Sequence, residues 1–434
     1  MRVANLTALR PPQPWSAPTA SDPVSSALRL PGSKSMTARA LVLGAIAAGP
    51  STLRRPLRAR DTELMAGGLR AMGAHVSIVD DERWLIRPQT LQGPSHVDIG
   101  QAGTVMRFVP PIAGLADGPV TFDGDPVVRH RPLGPLVGAL RAIGVRIDQA
   151  TGASLPLTVR GTGSVAGGEV VIDASASSQF VSALLLAAPR FERGIVVRHV
   201  GPPVPSAPHL RMTARMLRAA GAGIDDATPD VWVVEPGRLS GRGWDIEPDL
   251  SGAAPFFAAA LVTGGSVTLG GWPHSSMQPV DRLRDLLGQM GGRVSVGTDG
   301  LTVTGTGTVH GLDADLSDVA EWTPVLAALA ALADSPSRLH GVAHIRGHET
   351  DRLAALAREL SDLGADVTES HDSLDIRPRP LRGGSFATYD DHRMAHAGAV
   401  LGLTVPGIEL TDVACTSKTL PEFPALWSAM VTGG

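Results

Sequence analysis

Lysine is almost absent from this chain. Of its 434 residues 38 are basic, and only Lys34 and Lys418 among them are lysines. There is one cysteine, Cys415, one tyrosine, Tyr389, and no asparagine after Asn5. A single thiol excludes an intrachain disulfide and suits a reducing compartment, so a cytoplasmic setting is expected. The longest apolar runs, 41–48 and 325–333, fall far short of the ~20 residues that a membrane span needs. The N-terminus lacks a basic head followed by an apolar stretch, so no secretory signal is expected either. A net charge of -4 gives no reason to expect nucleic acid or an anionic membrane as partner. Arginine is permanently charged and planar, whereas the pKa of lysine can be tuned. Two lysines kept in an arginine-dominated chain are therefore candidates for chemistry that arginine cannot do.

What is present suffices for sizeable cores: 43% of residues are apolar and 18% charged. The length fits two large domains or a set of smaller modules. Residues 1–27, rich in Pro, Ser, Thr and Ala, read as a mostly flexible tail. Beyond it one pattern recurs five times, first as Leu69-Arg-Ala-Met-Gly73-Ala-His-Val76. It returns around Gly144, Gly221, Gly291 and Gly364, at spacings of 71, 77, 70 and 73 residues. In each copy an amphipathic helix should end at the glycine in the left-handed conformation, and an alternating strand should begin. A unit of ~70 residues is too long for a solenoid repeat of ~20–50 residues, so small α/β modules packed into larger domains are expected. Asp245-Ile-Glu247-Pro-Asp249 should lead into a further helix, with Pro255 in its first turn.

Several motifs could carry chemistry. Gly32-Ser33-Lys34-Ser35, with Arg39 one helical turn on, combines free N–H groups, a helix dipole and two cations, an anion site in outline. It is not a phosphate-binding P-loop, because Ser33 stands directly before the lysine, where that motif requires a glycine. Gly100-Gln101-Ala-Gly103 allows close backbone approach and precedes Arg107. Arg129-His-Arg131-Pro132 could clamp an anion ahead of a helix, and Ser177-Ser178-Gln179 at a helix start suits a phosphate ester. His344, Arg346, His348, Glu349 and Arg352 crowd one loop-to-helix junction, where two arginines would repel a metal dication. Tyr389-Asp390-Asp391-His392-Arg393 and Cys415-Thr-Ser-Lys418-Thr-Leu-Pro421 complete the set. Each alone could equally be a capped, solvated helix start. Together they suggest a ring of positive groups around substrates with several negative charges.

These stretches are similar to those of the 5-enolpyruvylshikimate-3-phosphate synthases, and the chain looks most like actinobacterial members. Leu-Pro-Gly-Ser-Lys-Ser-x-x-x-Arg, Ala-Gly-Thr-x-Met-Arg, Ser-Ser-Gln-Phe, Glu-Thr-Asp-Arg-Leu, Asp-Asp-His-Arg-Met-Ala and Lys-Thr-x-Pro occur in family order over about 30 to 421. The resemblance implies an α/β (α+β) fold of two domains, each of three repeated βαβαββ units, the inside-out barrel of enolpyruvyl transferases. Residues 33–246 would form the first domain, and 28–32 plus 247–434 the second, with the site in the cleft between them. It further implies transfer of the enolpyruvyl group of phosphoenolpyruvate to the 5-hydroxyl of shikimate 3-phosphate by addition and elimination, without cofactor or metal, in a monomer.

By the same resemblance Lys34, Gly103, Arg131, Gln179, Arg352, Arg393 and Lys418 would hold phosphoenolpyruvate. Lys34, Ser35, Arg39, Ser177, Ser178, Gln179, Ser206, Glu321 and His348 would hold shikimate 3-phosphate. Glu321 would take the proton of the ring hydroxyl, and Glu349 or Lys34 would protonate the methylene carbon. Gly103 would confer sensitivity to glyphosate. Gln101, His209, His344 and His348 depart from residues common in the family. Two rivals share the scaffold. A UDP-N-acetylglucosamine enolpyruvyl transferase usually has a reactive cysteine in its first half, whereas Cys415 lies near the C-terminus. A non-catalytic phosphometabolite-binding protein would lack the carboxylates Glu321 and Glu349.

Overall fold

The computed structural model describes residues 12–149 and 155–433. Its repeating module is a sheet with a parallel edge pair and two antiparallel strands, crossed by two helices. In one copy Ser95–Asp98 runs parallel to Asp117–Asp123, followed by Leu157–Thr162 and Arg146–Gln149, while Gly103–Ala113 and Gly134–Ala142 are the helices. Among the described residues, five four-stranded sheets and one three-stranded sheet are built this way. The five glycines of the sequence repeat all lie at positive φ, between 91° and 108°, each between a helix and the strand that follows it.

The modules gather around two separate hydrophobic cores. One is made of residues from Met36 to Ile246. The other is made of Ala17 to Leu30 and Leu250 to Met430. At the centre of the first, the helices Lys34–Ile46, Gly103–Ala113 and Ser178–Ala187 pack on one another. At the centre of the second are Leu250–Thr263, Thr323–Ala331 and His392–Gly402. These inner helices are apolar nearly all round because sheets or other helices cover every face. The outer helices, such as Ala207–Ala219 and Arg352–Asp362, keep one polar face toward solvent.

The chain passes between the cores along two adjacent segments. Gly32 bridges Pro248, the Ser33 amide donates to the Glu247 carbonyl at 2.7 Å, and the Asp249 amide donates to the Pro31 carbonyl at 3.1 Å. No side chain fits at Gly32, where a Cβ would lie 2.1 Å from the Arg55 carbonyl oxygen.

Two expectations are corrected. Residues 1–11 of the expected tail lie outside the described residues, but the remainder is not loose. Trp15–Ser16 pairs with Ile408–Leu410, and Ser25–Leu28 pairs with Ser266–Leu269. Each module needs an edge strand, and here the N-terminal segment supplies one to each of two sheets, despite its poor strand propensity. Pro255 sits at the sixth position of the helix Leu250–Thr263 rather than in its first turn. The backbone bond it cannot make would have gone to the Ser251 carbonyl, and that carbonyl is taken by an arginine described below.

Candidate active site

All six inner helices point their N-termini at one cavity of about 310 Å³ between the two cores. Lys34 and Ser35, Gly103 and Thr104, and Ser178 and Gln179 line it from the first core. Leu250 and Ser251, Trp322 and Arg393 line it from the second. Each start offers unpaired N–H groups and the positive end of a helix dipole, so the backbone alone makes the cavity attractive to anions. This convergence follows from the threefold repetition of the module, which gives the inner helices of each half one common direction.

Side chains sharpen that preference in the first half. Arg107 donates to Gln179 Oε1 at 3.1 Å, yet its buried Nε has no partner. Arg131 donates to the Gln101 carbonyl at 2.9 Å, and its buried Nε and Nη2 are free. Burial, and then Arg131 beside it, push the Arg107 guanidinium down to about 10. A Cβ on Gly103 would lie 2.8 Å from Arg107 Nη1 and 3.8 Å from Arg131 Nη1, so glycine keeps this arginine pair accessible. Arg129, the other arginine of its motif, turns outward to Asp123 at 2.6 Å and does not line the cavity.

Arg39 lines the cavity although it is almost wholly buried, stacked 5.2 Å over the Phe108 ring. It donates to Thr213 Oγ1, the Ser35 carbonyl, Ser182 Oγ and the His209 carbonyl, which commits four of its five N–H groups to the protein. Burial lowers it to about 9, still charged at neutral pH. Ser35 Oγ meets His209 Nε2 at 3.3 Å, and Ser177 Oγ accepts the Gln179 amide at 3.2 Å as an N-cap. Ser178 is buried beside it. Ser206, at φ 55°, donates its amide to the Ser317 carbonyl across the cleft at 2.7 Å. Burial, and then Arg39, push His209 down to about 4, so it is neutral.

The second half is a chain of ion pairs. Arg352, fully buried, donates from Nε to Asp391 Oδ2 at 2.8 Å and from Nη2 to Glu349 Oε2 at 2.9 Å. Its Nη1 donates to His348 Nδ1 at 3.0 Å and lies 3.5 Å from Glu321. Lys418 Nζ donates to Glu349 Oε1 at 2.6 Å. Arg393 lies 3.5 Å from Glu321 and donates to the Ser251 carbonyl that Pro255 leaves open. Burial opposes ionisation of Glu349, but Lys418 and Arg352 hold its carboxyl well below the usual range. Glu321 is likewise held down, by Arg352, Arg393 and Lys34 against burial. Burial, and then Arg352, push His348 down to about 3. His348 is therefore neutral, and its Nδ1 is the acceptor.

Lys34 sits between the halves. Its amide donates to Asp249 Oδ2 at 2.9 Å and its ammonium faces Asp61 at 3.4 Å. Burial works against the charge, but Asp61, Glu349 and Glu321 outweigh it, and the pKa is raised.

The residues expected from sequence thus converge, with two refinements. Arg352 and Lys418 stand behind the wall, reaching the cavity through Glu349 and Glu321. Asp61 escaped sequence reasoning, and Asp249 and Asp391 figured there only within helix-start motifs, without their partners. Asp249 and Asp391 each precede a helix and read as ordinary N-caps, which they also are. Among the described residues no group of three or more His, Cys, Asp or Glu could hold a metal, and no helix is long and apolar enough to cross a membrane. Cys415 is buried, its thiol raised by burial, unlike a reactive thiolate.

Comparisons with known proteins agree with this geometry. A family model described as EPSP synthase (3-phosphoshikimate 1-carboxyvinyltransferase) matches residues 18–427. The 3-phosphoshikimate 1-carboxyvinyltransferase of Mycobacterium ulcerans (strain Agy99) is 52% identical over 430 residues, 97% of this chain and 98% of the relative. Among solved structures, EPSP synthase from Acinetobacter baumannii has a TM-score of 0.80 at 24% identity, covering 96% of this chain and 98% of that one. The enolpyruvyl transferase NikO from Streptomyces tendae has a TM-score of 0.76 at 19% identity, covering 97% and 98%.

Proposed function

The chain belongs to the EPSP synthase family and transfers the enolpyruvyl group of phosphoenolpyruvate to shikimate 3-phosphate, and from that premise we propose how its residues divide the work. The observation that carries the assignment is the cavity itself, where six helix N-termini converge and Arg107 and Arg131 line the wall. Lys34, Gly103, Arg131, Gln179, Arg352, Arg393 and Lys418 hold phosphoenolpyruvate. Lys34, Ser35, Arg39, Ser177, Ser178, Gln179, Ser206, Glu321 and His348 hold shikimate 3-phosphate. The two domains are residues 33–246 and residues 28–32 plus 247–434, the second joined by the edge strands Trp15–Ser16 and Ser25–Leu28, and the enzyme works as a monomer in the cytoplasm.

Glu321, ionised and facing the cavity, takes the proton of the ring 5-hydroxyl as its oxygen attacks C2 of phosphoenolpyruvate. Lys34 delivers a proton to the methylene carbon. It suits that role better than Glu349, which stays a carboxylate between Lys418 and Arg352 while Lys34 stays an ammonium. The resulting tetrahedral adduct then loses a proton from its new methyl group and expels phosphate, restoring the double bond. Charge accumulating on the phosphate as it leaves meets Arg107 and Arg131, which have no carboxylate within ion-pair distance among the described residues.

Phosphate release from shikimate 3-phosphate plus phosphoenolpyruvate tests the reading directly. The purified chain should release one phosphate per enolpyruvyl group transferred, without added metal. No release with these two substrates, alongside release with UDP-N-acetylglucosamine, would overturn it.

A further inference from the structure

Away from the paired crossing segments, only a few hydrogen bonds among the described residues span the cleft. The Ser206 amide meets the Ser317 carbonyl and Arg215 meets the Ser276 carbonyl, each at 2.7 Å. Both use a backbone acceptor. The one side-chain to side-chain bond is Gln101 Nε2 to Asp390 Oδ2, at 2.9 Å.

That bond sits between the two arginine sets. On the Gln101 side, the residue's own carbonyl holds Arg131 Nη1. On the Asp390 side, the next residue, Asp391, accepts from Arg352 through both carboxylate oxygens and caps the helix that carries Arg393. The turn that presents Asp390 is strained. Tyr389 and Asp390 both have φ 54°, a left-handed conformation that costs a non-glycine residue about 1 kcal/mol or more. It is held by Tyr389, whose hydroxyl donates to Glu359 Oε1 at 2.5 Å, while Glu359 Oε2 accepts the Ala387 amide at 2.7 Å. Two consecutive left-handed residues aim the Asp390 carboxylate across the cleft and the Asp391 carboxylate back into the core. A plain helix cap would need only the second.

We infer that Gln101 and Asp390 are a positioning pair, a latch that holds Arg131 of one half in register with Arg352 and Arg393 of the other, so that phosphoenolpyruvate meets both sets at once. This inference rests on the division of roles given above. Neither residue touches the reacting atoms. The latch favours the arrangement seen here, with the two halves joined across the cleft, and a ligand that must meet both arginine sets loses apparent affinity in proportion to the fraction of molecules so arranged.

The test uses the full chain and separates KM from kcat. Gln101→Ala, and Asp390→Gly, which keeps the left-handed backbone, should each raise KM for phosphoenolpyruvate by about 2- to 10-fold, the range of one hydrogen bond. Changes in kcat at saturation should stay within about twofold. The double variant should be no worse than the worse single one, because both remove the same bond. Asp390→Asn retains an acceptor oxygen and tolerates the left-handed turn, so it should restore KM. An unchanged KM in both single variants, effects that multiply in the double variant, or an Asp390→Asn protein that behaves like Asp390→Gly would each overturn the latch. Inactivity of the unmodified enzyme toward the two substrates would instead refute the assignment on which it rests.

Discussion

Removing Asp391 should do more damage than removing any other acidic residue in the molecule. Its side chain is wholly buried, as is that of its partner Arg352. The carboxylate accepts from Arg352 Nε at 2.8 Å and Nη2 at 3.1 Å, and it caps the helix His392–Gly402 by accepting the Arg393 amide at 2.8 Å. Stripping one partner from a buried pair costs about 3–5 kcal/mol, because the surviving charge is stranded. Loss of an N-cap adds about 1 kcal/mol. Asp391→Ala is therefore expected to lose about 4–6 kcal/mol, a large share of the ~5–15 kcal/mol by which proteins are stable. Glu349 also pairs with Arg352 and limits the stranding, which favours the lower end. Asp391→Asn keeps the cap and one acceptor, and should recover about 1 kcal/mol of the loss. Urea unfolding followed by tryptophan emission measures both variants against the parent. A loss below about 1 kcal/mol in Asp391→Ala is what an exposed ion pair would give, and it would refute the claim that this pair is a structural keystone.

Glu321→Gln should lower kcat by at least about 100-fold while KM for shikimate 3-phosphate changes far less, as expected when a proton acceptor is lost but a polar contact stays; equal effects on both would remove its assigned role. Gly103→Ala puts a methyl group 2.8 Å from Arg107 Nη1, so steady-state kinetics should show a higher KM for phosphoenolpyruvate and weaker inhibition by glyphosate, which mimics it. Pro255→Ala lets the helix amide compete with Arg393 for the Ser251 carbonyl, and KM for phosphoenolpyruvate should rise, with thermal stability unchanged or slightly raised. Stability should also fall on acidification. His209 and His344 are lowered to about 4 and His348 to about 3 by burial, so they stay neutral in the folded state while the unfolded chain takes up protons below about pH 6.5. Their contribution is complete above that pH and lost as the pH falls toward their folded values, at up to about 1.4 kcal/mol per pH unit for each. Glu349, held low by Lys418 and Arg352, adds a further loss that begins as the pH falls into the ordinary carboxylate range and continues below it. Flat stability between pH 7 and 5 would contradict the neutral histidines.

The module was legible because its marker is a backbone necessity. Gly73, Gly144, Gly221, Gly291 and Gly364 end helices in a conformation that other residues adopt only at a cost, so the sequence had to repeat them. The edge strands at Trp15–Ser16 and Ser25–Leu28 were not legible. They are short and poor in strand formers, and their partners lie some 240 to 390 residues away, at 266–269 and 408–410. Tertiary pairing alone makes them strands.

The site divides along the same line. Lys34, Ser35, Gly103, Ser177, Ser178 and Arg393 stand at helix starts, where glycine, serine and a cation in sequence already spell an anion site. Asp61, Asp249 and Asp391 do not announce themselves, because their meaning lies in which cation the fold sets beside them. That pairing decides the chemistry. In the second half Arg352 and Lys418 each lean on a carboxylate, whereas Arg107 and Arg131 in the first half have none within ion-pair distance among the described residues. A dianionic phosphate entering the cavity therefore gains most from the first-half arginines, where no ion pair has to be broken. The paired cations of the second half serve a second end besides binding. They keep Glu321 and Glu349 ionised in a buried place, and so keep a base ready where desolvation would otherwise neutralise it. Opposite treatment of like residues in the two halves is what turns a repeated fold into an asymmetric catalyst.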